Sequence, residues 1–235
     1  MPSPFMEANV ASIPYVDHWM LEALNEAQFA LDEHEVPVGA VLVPLPAHQL
    51  HGEDVRRAES QGDGPDSRSP AGPALDTRMW VSRGRNATNR RHHALAHAEF
   101  LCVEGLLRGL GAAEGGGEGG PADLSNYVLY VTVEPCVMCA ALLRDNRIAA
   151  VFFGCPNLRF GGNGSVLALH NPNPDPPKGG EGTAEPIGAS PPRGYRSEGG
   201  HRAQEAIGLL QKFYLRENPN APGVKRKRKL STLAR

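Results

Sequence analysis

His97-Ala-Glu99 and Pro135-Cys136-Val-Met-Cys139 are the two stretches of this chain whose residue types and spacing can do chemistry. Cysteines three apart at the start of a helix lie on one face, where free backbone N–H groups and the positive end of the helix dipole favour thiolates and metal binding. Cys136, Cys139 and His97 together offer two sulfurs and one imidazole, a donor set suited to zinc. Three ligands leave the fourth tetrahedral position open, as in catalytic rather than closed structural sites. Glu99, two residues past the histidine, can then move protons beside a metal that activates water. Plainer readings exist: His97 as a satisfied core histidine, Glu99 as a first-turn helix carboxylate, the cysteines as small buried residues. Cys102 and Cys155 lack ligand spacing to the pair and read as buried thiols, and Glu134 reads as structural because the zinc already has its complement.

Both motifs need helix starts that follow strands, and the patterning supplies them. Trp19, Leu24, Ala27 and Leu31 recur near helical spacing over 17–32, and 38–43 is a β-rich run stopped by Pro44. A second strand is predicted at 79–85 and a helix over 94–110, with the histidine motif in its first turn. Residues 127–133 alternate and are β-branched, 136–144 reads as a helix behind Pro135, and 148–153 is an apolar run of strand length. Ala206, Ile207, Leu210, Phe213 and Tyr214 predict one face of a closing helix.

Strand-like and helix-like segments thus take turns, which predicts one α/β domain. Composition interrupts it. Insertions are expected at 44–78, 111–122 and 171–200, the last with 14 Gly or Pro among 30 residues, a mixture that resists packing. The domain is expected over 17–215, between an N-terminal arm of 1–16 and a basic tail of 216–235. Of a formal net charge of −2, Lys225, Arg226, Lys227, Arg228 and Lys229 alone carry +5. No apolar run approaches the roughly 18 residues that span a bilayer, so no membrane partner is expected. The start lacks a secretory pattern, and four cysteines in a chain of 235 residues favour metal binding or buried thiols over disulfides.

The paired signature His-x-Glu and Pro-Cys-x-x-Cys resembles that of the zinc nucleobase deaminases, in which the glutamate is the general acid and base and not a ligand. The resemblance is wider than the metal site. Glu35-Val-Pro-Val-Gly-Ala40, Gly84-Arg-Asn86, the run from Leu129 to Cys139, Phe160-Gly-Gly162, Gly164-Ser-Val-Leu167 and Glu217-Asn-Pro-Asn-Ala-Pro222 are similar to the catalytic subunits of eukaryotic tRNA-specific adenosine deaminases. The Arg-Phe-Gly-Gly and Glu-Asn-Pro-Asn-Ala-Pro strings point to that branch, whereas Val-Pro-Val-Gly and Glu-Pro-Cys-x-Met-Cys are shared with bacterial relatives.

The resemblance implies a cytidine-deaminase-like fold: three layers, α/β/α, around a mixed central sheet of about five strands. It also implies Zn2+, hydrolytic conversion of adenosine to inosine at the wobble position of the tRNA anticodon, and a heterodimer with a paralogous non-catalytic subunit. By position it assigns Val38 and Asn86 to the base pocket, Ala98 to backbone contacts beside the zinc, and Asn157 to the flanking nucleotides. An anticodon loop offers unstacked bases, on which Phe160 or His170 can stack. Arg83, Arg85, Arg90, Arg91, His92 and His93 crowd the approach to His97 and read either as phosphate contacts or as a solvated basic loop. The KRKRK tail reads as an RNA contact, a nuclear import signal or a merely solvated segment. Cytoplasm and nucleus are both expected. Two rivals stand beside this reading: a zinc deaminase of a free cytosine-type nucleoside, nucleotide or base, and a non-catalytic zinc or RNA-binding module, against which Glu99 argues.

Overall fold

A computed structural model describes residues 13–48, 81–113, 123–171 and 194–216. In chain order the elements are α1 (Asp17–Asp32), β1 (Gly39–Pro44), α2 (Leu45–His48), β2 (Ser82–Arg85), α3 (Thr88–Arg91), α4 (Ala98–Ala113), β3 (Tyr127–Val133), α5 (Val137–Asp145), β4 (Ala150–Cys155), β5 (Arg196–Gly199) and α6 (Ala203–Leu215). The strands form one mixed sheet in the order β2-β1-β3-β4-β5. β1 runs antiparallel to β2 and β3, while β3, β4 and β5 are mutually parallel.

Alternation along the strands divides their side chains between two cores, because successive residues of a strand face opposite sides of the sheet. Ala40, Leu42, Leu129, Val131 and Val151 point to one side, against Ala98, Cys102 and Leu106 of α4 and Leu143 of α5. Val41, Val43, Val128, Tyr130 and Phe152 point to the other, against Trp19, Met20 and Ala23 of α1. α6 joins α1 on that second side through Leu209 and Phe213, which meet Ala27 and Leu31. Three layers with a five-stranded mixed sheet result, the architecture expected from the sequence. Helix α4 lies close on β2 because Gly84 has no side chain: a Cβ there would stand 2.4 Å from the Ala98 carbonyl oxygen and 2.8 Å from the Cys102 nitrogen.

Several boundaries differ from the sequence reading. Ile13 is buried and Tyr15 and Val16 pack on the α1 core, although 1–16 was expected as an arm. Pro44 ends β1, and α2 follows inside the expected 44–78 insertion with His48 buried. Strand β5 falls within 171–200, and α4 runs to Ala113 past the expected start of the second insertion. Helix α4 also starts later than expected, so His97 immediately precedes it. On α6 the buried residues are Ala206 and Leu209, while Tyr214 is exposed.

His48 gives α2 a reason to be there. Val16 N–H donates to the Tyr130 hydroxyl at 3.0 Å, that hydroxyl is hydrogen-bonded to His48 Nε2 at 2.6 Å, and Trp19 Nε1 donates to the His48 carbonyl at 3.0 Å. Burial holds the imidazole neutral by lowering its pKa from 6.5 to about 4. Because the folded value lies below the unfolded one, the unfolded chain takes up the proton first as pH falls. Stability should therefore be full above pH 6.5 and decline between 6.5 and 4 by up to about 3 kcal/mol. Urea denaturation across that range checks this: His48→Gln should flatten the decline, and an equally steep profile in the variant would assign the loss to another group.

Candidate active site

The parallel strands β3 and β4 end side by side, and the chain leaves β3 through Glu134 and Pro135 to start α5. Cys136 is the N-cap residue of α5 and Cys139 lies in its first turn. His97 arrives at the same place from the start of α4, which is fixed by Asn86: its Oδ1 accepts the Ala98 N–H at 3.0 Å, an N-terminal cap supplied by the residue that follows β2. Two helix N-termini thus converge where the parallel strands end, the usual place for a ligand in such sheets.

His97 Nδ1 stands 3.6 Å from Cys136 Sγ and 3.5 Å from Cys139 Sγ, and the two sulfurs are 3.5 Å apart. Zn–S bonds of about 2.3 Å and Zn–N bonds of about 2.0 Å in a tetrahedron require roughly 3.6 Å between N and S and roughly 3.8 Å between sulfurs. The triangle fits zinc. It is also the only group of three or more potential metal-ligating side chains among the described residues. A hydrogen bond from Cys139, aided by His97, lowers the Cys136 pKa to about 4, so this sulfur is a ready thiolate. Glu99, 3% exposed on the first turn of α4, has its pKa raised to about 7, chiefly by burial and then by the Cys136 charge. A carboxyl balanced near neutrality can both accept and give back a proton.

Of the remaining residues singled out from sequence, Asn86 is buried and committed through its Oδ1 to the helix start. Ala98 is fully buried and its N–H is the one Asn86 takes, so that donor is occupied. Val38 is partly buried against the core under α4, and its carbonyl accepts the Asn86 N–H at 3.0 Å. Asn157 opens the loop after β4, where its Oδ1 accepts the Phe160 N–H at 3.1 Å. Phe160 is 57% exposed with the Arg159 guanidinium 5.1 Å from its ring centroid. The loop touches the metal turn directly, since Val137 N–H donates to the Phe160 carbonyl at 2.9 Å. Lys225, Arg226, Lys227, Arg228 and Lys229 lie outside the described residues.

The basic approach is less free than its composition implied. Arg85 pairs with Glu26 and Glu33 at 2.9 and 2.7 Å, Arg83 with Glu22 at 3.6 Å, Arg90 with Glu33 at 3.2 Å and Arg91 with Glu104 at 3.3 Å. A phosphate at these arginines would compete with carboxylates supplied by α1, by Glu33 at its C-cap and by α4.

Sequence reasoning gave Glu134 only a generic structural role and gave Glu35 none. Both are buried carboxylates that collect backbone donors. Glu35 accepts from the N–H groups of Asn89 and Arg90 at 3.1 and 2.6 Å, which anchors α3 on the way to His97. Glu134 binds Asn157, Asn163 and Ser165 in the loop beyond β4. The available signal was a charged residue inside an otherwise apolar motif, since a carboxylate is rarely fully buried unless paired.

A sequence model of the family described as "Cytidine and deoxycytidylate deaminase zinc-binding region" matches residues 15–155, which hold every residue of the metal triangle. The chain belongs to this deaminase family. Within it, the chain is 35% identical over 215 residues to tRNA-specific adenosine deaminase 2 of Xenopus laevis, covering 91% of this chain and 94% of that protein. It is 33% identical over 213 residues to the protein of the same name from Danio rerio, covering 89% of this chain and 75% of that protein. A solved structure described under A-to-I editing by tRNA:A34 deaminases at the wobble position of transfer RNA is 25% identical, with a TM-score of 0.50, over 83% of this chain and 99% of its own. The cytidine-deaminase-like fold expected from the sequence is therefore the fold observed. Zinc is the cofactor, because the matched region is a zinc-binding one and the N/S triangle has zinc dimensions.

Proposed function

We propose that this deaminase removes the amine of adenosine at the wobble position of the tRNA anticodon, leaving inosine, as the catalytic subunit of a heterodimer with a paralogous non-catalytic deaminase subunit. The observation that carries the chemistry is the three-ligand triangle with a buried carboxyl on the adjoining helix turn. The similarity to tRNA-specific adenosine deaminases over about nine-tenths of the chain supports the substrate.

His97, Cys136 and Cys139 would hold the zinc, which when bound would supply an acidified water for attack on the amine-bearing ring carbon. Glu99 would take one proton from that water and pass it to the ring nitrogen, then take the proton of the hydroxyl now on the ring carbon and pass it to the amine, so that ammonia leaves as the carbonyl of inosine forms. Its burial keeps competing solvent away from these transfers. Val38 and Asn86 wall the base, Ala98 offers backbone contacts beside the zinc, and Asn157 and Phe160 meet the flanking nucleotides, where an exposed aromatic ring is suited to stacking on an unpaired base. The basic cluster at 225–229 adds salt-sensitive affinity for the tRNA backbone and serves the chain in both cytoplasm and nucleus. The catalytic domain spans 17–215 together with Ile13, Tyr15 and Val16, which pack on its core. Among the described residues no helix is long and apolar enough to cross a membrane.

Steady-state deamination by the chain alone and co-purified with its paralogous subunit, on tRNA and on free adenosine, cytidine and deoxycytidylate, tests the assembly and the substrate class together. Inosine in tRNA only when both chains are present is the expected result. Turnover of a free cytosine compound would replace this reading with a small-molecule deaminase.

A further inference from the structure

The carboxylate of Glu134 is the hub of the loop that follows β4. Its Oε2 accepts the Asn157 N–H at 2.8 Å and its Oε1 accepts the N–H groups of Asn163 and Ser165, both at 3.0 Å. The Ser165 hydroxyl is a fourth donor, onto Oε2. The side chain is 2% exposed, and Gly161 lies directly on it: a Cβ at that position would stand 2.5 Å from the carboxyl carbon. The same loop is bonded to the turn that carries the first cysteine, through Val137 N–H to the Phe160 carbonyl at 2.9 Å and Gly162 N–H to the Pro135 carbonyl at 2.8 Å. Glu134 itself sits on the sheet, its N–H donating to the Cys155 carbonyl at 2.9 Å.

We propose that Glu134 is a positioning residue for substrate recognition: from beneath, it fixes the height and path of residues 157–165 over the metal turn and thereby sets where Asn157 and Phe160 meet the RNA. This rests on the functional reading above. The physical ground is the donor count. Backbone N–H groups drawn from three places in a surface loop converge on one buried anion, and charge-assisted hydrogen bonds of this kind are the strong ones. Leu158, Arg159 and Phe160 stay exposed above it, with Leu158 at 81%. A loop held from below presents its outer residues in one arrangement before RNA arrives, so less ordering is required on binding.

Glu134→Gln keeps the shape and changes the donors. A carboxamide has one acceptor oxygen, which will face the two N–H groups at the Oε1 position, so its NH2 must face the Asn157 N–H. Release should therefore be greatest at Asn157. In zinc-loaded protein, amide exchange of Asn157 should accelerate more than that of Asn163 or Ser165. With the partner subunit present, KM for tRNA should rise about tenfold while kcat stays within about threefold and zinc stays at one per chain, the signature of lost binding rather than lost chemistry. Preference among stem-loops differing only in the nucleotides beside the target adenosine should weaken as well, which a merely stabilising residue would not cause. Gly161→Ala, which pushes the loop off an intact Glu134, should raise KM in the same way and keeps the test open if Glu134→Gln folds poorly. An unchanged KM in both variants, a fall in kcat without a rise in KM, or loss of zinc would overturn the proposal. The wild-type reaction run alongside separates the two failures: no inosine from wild type sinks the functional reading, whereas inosine from wild type with unchanged KM in the variants sinks the role of Glu134 alone.

Discussion

Glu99→Ala should lower kcat for inosine formation at least about a thousandfold while zinc remains at one per chain, because a positioned proton carrier contributes roughly two to four orders of magnitude and here one carboxyl serves every transfer. Glu99 is well placed to separate these readouts. It is buried beside the sulfurs on α4 but is not part of the three-atom metal triangle. Glu99→Gln is the sharper variant, since it fills the same volume and cannot cycle a proton. Both should bind tRNA with little change in affinity, because the side chain is enclosed and its contribution is made as charge moves. Single-turnover kinetics with metal analysis on the same sample checks this. Activity within tenfold of wild type in Glu99→Gln would place the proton shuttle elsewhere.

Loss of a ligand should have an equally large but different outcome. Cys139→Ala should bind less than about a tenth of the wild-type zinc, show no measurable deamination, and unfold at the temperature of chelator-stripped wild type. The reasoning is linkage: zinc stabilises the folded chain only through the site it occupies, so removing the metal and removing the site subtract the same free energy. The coincidence of the two unfolding temperatures is the diagnostic feature. Cys139 is fully buried, and a small apolar replacement leaves its packing with only a modest gap. Cys102→Ala is the contrasting case. Its thiol donates to the Ala40 carbonyl at 3.3 Å inside the sheet-facing core, and zinc content should not change. Full zinc binding by Cys139→Ala would show that the three atoms do not form the metal site.

The legibility of these features in the sequence followed the strength of local pattern. Helix α1 and strand β3 were placed at their observed bounds, because Trp19, Leu24, Ala27 and Leu31 recur near helical spacing and Tyr127–Val133 is β-branched and apolar where two core faces cover it. β5 left no such mark: Arg-Ser-Glu-Gly at the sheet edge is polar on both faces and is held by pairing with β4, which no periodicity in its own residues reveals. α2 was hidden for a related reason, since one turn behind a proline is anchored by contacts from Tyr130 and Trp19, both distant in sequence. At the site, ligand spacing made the metal residues readable in advance. What Glu134 and Glu35 do depends on where loops return to them in space, and charge counting around Arg83 to Arg91 could not register that α1 and α4 supply the counter-charges.

The most direct test of the central claim is nucleoside analysis of one tRNA carrying adenosine at the wobble position, incubated with the zinc-loaded protein and the paralogous subunit proposed as its partner. The same tRNA with guanosine at that position serves as the control. One inosine per molecule of the first tRNA, mapped to the wobble site, is the expected result, with none in the control and none with Glu99→Gln. Absence of inosine in the presence of a folded, zinc-replete complex, or conversion of a cytidine to uridine instead, would contradict it.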